Sequence, residues 1–219
     1  MSDDPAAGLV LSVDLAGRPV TGVGAGRVAW RKYRSLLAAG ARLTVVAPEA
    51  CDAVTSAAAS GDLDWSRRPY ADGDLRGALL AVAATSDPSV NRRVAADAEA
   101  AGTLCVRIDG GGTASMAAAV HRGPLTLAVA SSGTAPALAM RIREELEDRY
   151  GPEYGELAAL MGRLRHDPDV STLLSALPES ERALRWHAIL AGDTLSLLRS
   201  GDPDEAKEAA LACLSSSAD

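Results

Sequence analysis

Residues 19–49, PVTGVGAGRVAWRKYRSLLAAGARLTVVAPE, decide the predicted fold because they read as a strand, a glycine-rich turn, a helix and a second strand. Apolar residues after the turn recur at the helical period, and the run 43–47 is typical of a buried strand. Gly24, Gly26 and Ala29 have the G-x-G-x-x-A spacing of the dinucleotide-binding fingerprint, which requires this strand-helix-strand order.

The fingerprint predicts that backbone N–H groups hold a pyrophosphate at the start of the helix, near Arg27. The acidic residue expected about 20 residues further on, at the tip of the second strand, is absent as such. The tip is Ala47-Pro48, and Glu49 is the nearest carboxylate. The pattern leaves open whether Glu49 reaches a ribose or only the backbone at Pro48 does.

Gly22 interrupts the first strand. A glycine inside a strand marks either the close approach of another group or a weak strand position. The sequence favours the weak strand position.

Strands alternate with helices through the first half of the chain, which predicts a parallel sheet in the order 3-2-1-4-5. Further strands are predicted at 62–66, 78–84 and 104–108, and Asp87 is the expected N-cap of the helix before the last strand. Ligands of such sheets bind beyond the carboxyl ends of the strands. The residues at those ends are Gly24, Pro48, Thr85 and Asp109.

Asp109 is the best catalytic candidate, because it is an isolated carboxylate at a strand tip followed by three glycines. The alternative is that Asp109 only caps the following turn. The pattern supports the two equally.

The sequence character changes after residue 113. A short helix is expected at 114–120 and a strand at 125–130, before a helix from about Pro136 to Tyr150. The polar loop between them contains Ser131, Ser132, Gly133 and Thr134. Such a loop can hold a carboxylate or phosphate, or Thr134 can simply be the N-cap. Gly151-Pro152 then begins a tail of short predicted helices at 156–165, 170–177, 180–190 and 204–214.

Composition limits the class of protein. A net charge of −7 argues against a general nucleic-acid binder, and no apolar run approaches the roughly 18 residues of a membrane span. The first eight residues, MSDDPAAG, do not resemble a signal peptide, so a cytoplasmic location is expected. The three cysteines are scattered, and no residues have metal-ligand spacing, so no resident metal is predicted.

Several segments together resemble one known family, the precorrin-2 dehydrogenase and sirohydrochlorin ferrochelatase proteins, which also form the N-terminal half of sirohaem synthase. The matching segments are GAGRVAWRK (24–32), AGARLTVVAP (39–48), AATSD (83–87) with NRR (91–93), RGPL (122–125) and SSGTAP (131–136). Their order and spacing cover nearly the whole chain. No methyltransferase half follows, so the stand-alone form is expected.

The resemblance implies NAD-dependent oxidation of precorrin-2, a tetrapyrrole, followed by insertion of ferrous iron as a second substrate. It places the catalytic aspartate at Asp109, and a serine of the active-site loop, whose modification can affect the family's activity, at Ser131. It places cofactor contacts after the glycines and at the second strand tip, on Arg27, Val28, Pro48 and Glu49. It also implies an intertwined homodimer. The expected organisation is a Rossmann-like domain at 1–112, an α+β dimerisation segment at 113–150 and a helical domain at 151–219.

The chain departs from the family pattern beside Asp109. The family's Asn-Val-Val-Asp stretch is Val106-Arg107-Ile108-Asp109 here, and the segment that follows is about two residues shorter. Arg27 replaces a residue that is commonly acidic, so NADP is not excluded as cofactor.

Arginines near the predicted cleft are available for the carboxylates of a tetrapyrrole, because a guanidinium binds a carboxylate two bonds at a time. Arg107 and Arg122, with Ser131 and Ser132, are the predicted substrate contacts. The alternatives are a dehydrogenase without chelatase activity, an enzyme with a changed substrate, or a binding module that has lost catalysis.

Overall fold

A computed structural model describes residues 8–215. Residues 1–7 and 216–219 lie outside the described part, and with them most of the segment used above to argue against a signal peptide. The described residues divide into two compact units, one made of 8–116 with 132–134 and the other of 117–131 with 135–215. Within the described residues, no helix is both long and apolar enough to cross a membrane.

The first unit is a five-stranded parallel sheet with helices between its strands. Its strands are β1 (Pro19–Val23), β2 (Arg42–Val46), β3 (Asp64–Ser66), β4 (Leu80–Ala83) and β5 (Leu104–Arg107). Its helices are α1 (Arg27–Ala38), α2 (Asp52–Ser60) and α3 (Pro88–Ala100). The strand order is β3-β2-β1-β4-β5, so the predicted order is confirmed.

Burial explains why β1 lies at the centre of this sheet. Val20 and Val23 of β1 are each 1% exposed, and Val45 and Val82 of the flanking strands are completely buried. A parallel sheet covered on both faces needs such apolar strands. The register pairs Val23 with Val46 and with Ala83, which brings the carboxyl ends of β1, β2 and β4 to one level.

Local signals define several helix ends, and the predicted N-cap at Asp87 is confirmed. The Asp87 side chain accepts a hydrogen bond of 2.7 Å from the Ser89 N–H, and Pro88 opens α3. Gly61 follows α2 in the left-handed conformation (φ +83°), which glycine adopts without a steric penalty.

The second unit combines an antiparallel hairpin with six helices among its described residues. The hairpin consists of β6 (Ala118–Arg122) and β7 (Leu125–Val129). The helices are α4 (Pro136–Arg149), α5 (Pro152–Arg165), α6 (Pro168–Ser175), α7 (Glu179–Ala191), α8 (Thr194–Ser200) and α9 (Pro203–Ser215). Leu157, Leu160, Ile189 and Leu214 are among the buried side chains of its core.

Two predictions for this unit are wrong, and one helix was missed. The expected helix at 114–120 is absent, because 118–122 pair with β7 and this pairing outweighs the helix propensity of an alanine-rich run. Helix α8 was not predicted, because its seven residues are too few to show a period. The N-cap of α4 is Ala135 and not Thr134.

Candidate functional site

A cleft of about 600 Å³ opens at the carboxyl end of the sheet in the first unit. The turn after β1 forms one wall, the segment after β2 a second, and the segment after β4 with Tyr70 a third. Gly24, Gly26, Pro48, Glu49 and Thr85 therefore line one cleft, as the strand order predicted.

Gly24 occupies a position that only glycine fits. Its φ is +98°, and a Cβ there would overlap the Ala84 carbonyl oxygen and lie 2.7 Å from the carbonyl carbon. The Gly24 N–H donates to the Val46 carbonyl at 3.0 Å. The turn thus packs closely against the residue after β4 and is hydrogen-bonded to β2.

Tyr33 of α1 stabilises the same turn through a hydrogen bond. Its side chain is completely buried, and its hydroxyl donates to the Gly24 carbonyl at 2.5 Å. Burial raises the pKa of this hydroxyl, so Tyr33 remains a donor. A Cβ at Gly22 would lie 2.6 Å from Tyr33 Cε1, so Gly22 is a close-approach position. The interpretation of Gly22 as merely a weak strand residue is wrong.

The start of α1 has the features of a phosphate site. Its N-cap, Gly26, supplies no side-chain hydrogen bond, and the first turn has no acidic residue. The first N–H groups of a helix have no intrahelical partner. A Cβ at Gly26 would meet no atom within 4 Å, so protein packing does not require glycine there. The Arg27 and Val28 side chains are exposed on this turn.

The second wall carries the charge of the cleft. Glu49 is the only charged residue among the described residues that line it. The neighbouring Ala47 carbonyl accepts a hydrogen bond of 2.9 Å from Trp65 Nε1, so Trp65 packs at the sheet edge. A carboxylate that faces such a cleft can accept hydrogen bonds from ribose hydroxyls.

Asn91 organises the third wall, a role that the sequence did not reveal. This residue of α3 is 1% exposed, and its Oδ1 accepts bonds of 3.0 Å from the Thr85 N–H and 2.8 Å from the Thr85 hydroxyl. Its Nδ2 donates to the Thr85 carbonyl at 3.2 Å. The sequence signal for such a role is a polar residue on the buried face of a helix, but only the fold shows that the partner of Asn91 is Thr85.

Asp109 lies beyond the end of β5, beside this third wall and outside the cleft lining. Ile108 N donates to the Ala83 carbonyl, so Asp109 follows at the level of Thr85. The Arg107 guanidinium binds both Asp109 oxygens at 3.0 Å and holds the pKa of the carboxyl below its usual value, with a smaller contribution from Asn91. Asp109 therefore carries a negative charge near the cleft.

The other predicted substrate contacts make hydrogen bonds within the protein, two of them in the second unit and one in the first. In the second unit, Arg122 donates to the Tyr150 carbonyl at 2.8 Å and the Glu147 carbonyl at 3.0 Å, so it caps the end of α4. In the same unit, Ser131 Oγ accepts from Ala135 N at 3.3 Å. Ser132, in the first unit, adopts φ +50° and accepts a bond from Gly8 N. Substrate binding by these residues stays a prediction.

Comparisons with known proteins agree with this geometry. A family model described as NAD(P)-binding matches residues 11–116, and one described as sirohaem biosynthesis protein central matches 122–149. The siroheme synthase of Azotobacter vinelandii is 40% identical over 201 residues, which are 91% of this chain. The chain belongs to the precorrin-2 dehydrogenase and sirohaem synthase family.

Other members of the family extend the comparison. The siroheme synthase of Chromobacterium violaceum is 40% identical over 188 residues, 84% of this chain. The chain spans about two fifths of both siroheme synthases, 42% and 39% of their lengths. A solved structure of SirC, a precorrin-2 dehydrogenase, matches with a TM-score of 0.68 and 27% identity, over 93% of this chain and 98% of that one.

Proposed function

We propose that this chain oxidises precorrin-2 to sirohydrochlorin with NAD as the hydride acceptor. The observation that carries the proposal is the cleft beyond β1, β2 and β4, where the Gly24 turn faces Glu49 and the Asp109 carboxylate lies alongside. The activity named for SirC supports the choice of substrate.

The residues of the cleft fit NAD. The N–H groups at the start of α1 would hold the pyrophosphate, and Gly26 leaves room for its approach. Glu49 would accept hydrogen bonds from a ribose. Because a 2′-phosphate would meet the Glu49 carboxylate, NAD is the expected cofactor rather than NADP. When bound, NAD accepts a hydride from the substrate.

Asp109 is the proposed proton acceptor. Removal of two hydrogens from the macrocycle releases one hydride and one proton, and an ionised carboxylate beside the cleft can take the proton. Its lowered pKa means that Asp109 is ionised in the free protein. The proposed substrate contacts are the two arginines Arg107 and Arg122, which would bind its carboxylates, and the polar-loop serines Ser131 and Ser132.

The family resemblance extends the proposal in three directions. Ferrous iron would enter sirohydrochlorin as a second substrate, and Asp109 would take protons displaced from the pyrrole nitrogens. The protein would act as a homodimer. The exposed apolar side chains of Leu9, Leu11 and Val13 are consistent with a covering partner. The cytoplasm is the proposed location.

Turnover of precorrin-2 with NAD, followed by NADH absorbance, tests the proposal. Asp109→Asn should bind NAD normally but lose turnover, whereas Asp64→Asn, at the opposite end of the sheet, should keep it. Gly24→Asp should lose both NAD binding and oxidation, and retained iron insertion in this variant would establish the second activity independently. Binding of NAD and tetrapyrrole by the wild type without turnover would contradict the proposal and support a binding module.

A further inference from the structure

The ion pair between Arg107 and Asp109 is encoded locally in the chain. Arg107 ends β5, and the turn that follows brings Asp109 back so that Nε meets Oδ1 and Nη2 meets Oδ2, each at 3.0 Å. Both carboxylate oxygens are therefore engaged by one guanidinium. Such a bidentate pair is directional and charge-assisted.

The loop that carries Asp109 is fixed by its backbone to the edge of β5. Ala114 N donates to the Cys105 carbonyl at 3.0 Å, and Cys105 N donates to Thr113 Oγ1 at 2.9 Å, so the loop folds back on the edge of β5. A Cβ at Gly112 would lie 3.0 Å from Arg107 N, so the backbones are in close contact. The guanidinium also donates to the Gly111 carbonyl at 3.5 Å. Because the Arg107 guanidinium ends a long side chain with four rotatable bonds, whereas the Asp109 carboxylate is one methylene from the fixed loop, the guanidinium is the partner that can change position.

The pairing in the free protein conflicts with the role of Asp109 in the proposed function. A carboxylate that accepts two bonds from a guanidinium presents no free oxygen to a proton donor on that side, and its affinity for a proton is reduced. Among the described residues, the groups that face Asp109 are Arg107 of β5 and the neutral Asn91 of α3, and the buried Cys105 thiol lies near Arg107. Only the departure of Arg107 would restore the basicity of Asp109.

We propose that Arg107 has two successive partners, Asp109 in the free protein and a carboxylate of the substrate in the complex. The inference rests on the proposed function, because it requires a substrate that carries carboxylates. Arg107 acts as a positioning residue: the substrate acid takes over its planar fork, and the released Asp109 oxygens then face the macrocycle. An unsubstituted ring without carboxylates would leave the pair closed.

The first test follows the Asp109 carboxyl by ¹³C NMR, with the signal assigned by its loss in Asp109→Asn. In the free wild type, the titration midpoint should lie below that of an ordinary aspartate, and in Arg107→Gln it should rise to the ordinary range. Addition of sirohydrochlorin should raise the midpoint in the wild type. An unchanged midpoint in the wild-type complex would overturn the inference without the need for any variant.

The second test measures the dissociation constant of sirohydrochlorin. Arg107→Gln should weaken binding at least about tenfold while NAD affinity is unchanged, because a charged hydrogen-bond donor to the substrate is lost. Arg107→Lys should give an intermediate value, because it keeps the charge without the fork. The control Arg199→Gln removes a partly exposed arginine–carboxylate ion pair with Glu153 in the other unit and should change neither dissociation constant.

The outcomes separate the two hypotheses. Equal sirohydrochlorin affinity of the wild type and Arg107→Gln would refute the exchange of partners but leave the proposed function intact. Failure of the wild type to bind sirohydrochlorin at all would refute both.

Discussion

Replacing Gly22 by alanine should destabilise the first unit and loosen the turn at Gly24. The new methyl group would overlap the Tyr33 hydroxyl and lie 2.6 Å from Cε1, in a site where the ring is completely buried. Overpacking of this kind costs about 1–3 kcal/mol. Loss of the hydrogen bond to the Gly24 carbonyl adds about 1 kcal/mol, and the better strand propensity of alanine returns about 0.5 kcal/mol. The expected net loss is about 1.5–3.5 kcal/mol.

Urea denaturation measures this loss, with Trp30 and Trp65 as fluorescent probes in the first unit. NAD affinity, measured by calorimetry, should fall about fivefold if about 1 kcal/mol of the turn's fixation is lost. A second substitution, Tyr33→Leu, removes the colliding hydroxyl. The double variant should therefore be more stable than the sum of the two single losses predicts, by about 1–2 kcal/mol.

Additive single losses, within about 0.5 kcal/mol, would refute the contact between Gly22 and Tyr33. Gly26→Ala is the matched control, because its Cβ meets no atom within 4 Å. Its stability should change by less than about 1 kcal/mol, the usual effect of such a change at an N-cap.

Four further outcomes follow from the same structure. Gly26→Ala should reduce NAD affinity at least about tenfold in calorimetry, because its methyl group would stand where the pyrophosphate approaches; normal affinity would contradict this site. Glu49→Gln should weaken NAD binding and narrow the preference for NAD over NADP, as measured by the two dissociation constants; an unchanged ratio would exclude Glu49 from cofactor choice. Arg185→Met should destabilise the second unit by about 1–3 kcal/mol in urea, monitored at Trp186, because the buried Leu214 carbonyl loses its donor. The pKa of Asp74 is lowered, first by its hydrogen bond from Arg68. The stability that this carboxylate contributes is therefore present above its unfolded pKa of 3.8 and is lost as pH falls through its folded pKa. The fall in the urea midpoint between about pH 5 and about pH 3 should consequently be smaller in Asp74→Asn than in the wild type.

The candidate site was predictable where it depends on backbone conformation near a motif. The glycines at 24 and 26, the tip at Pro48 and Glu49, and Thr85 all line the cleft, because the strand order places the carboxyl ends of β1, β2 and β4 together. Asn91 and Tyr33 were missed as organising residues. Each acts through a hydrogen bond to a loop residue, and no local pattern names the partner.

Sequence alone determined the alternation of strands and helices in residues 19–108, the order of the sheet and the cap at Asp87, because these depend on local propensity, period and hydrogen bonding within a few residues. Tertiary structure alone decided that 118–122 form a strand, that Gly22 accommodates the Tyr33 ring, and that Arg107 closes on Asp109. These outcomes depend on which side chains and strands meet after the chain has folded, and the free energy of those contacts exceeds the local preferences of the residues involved.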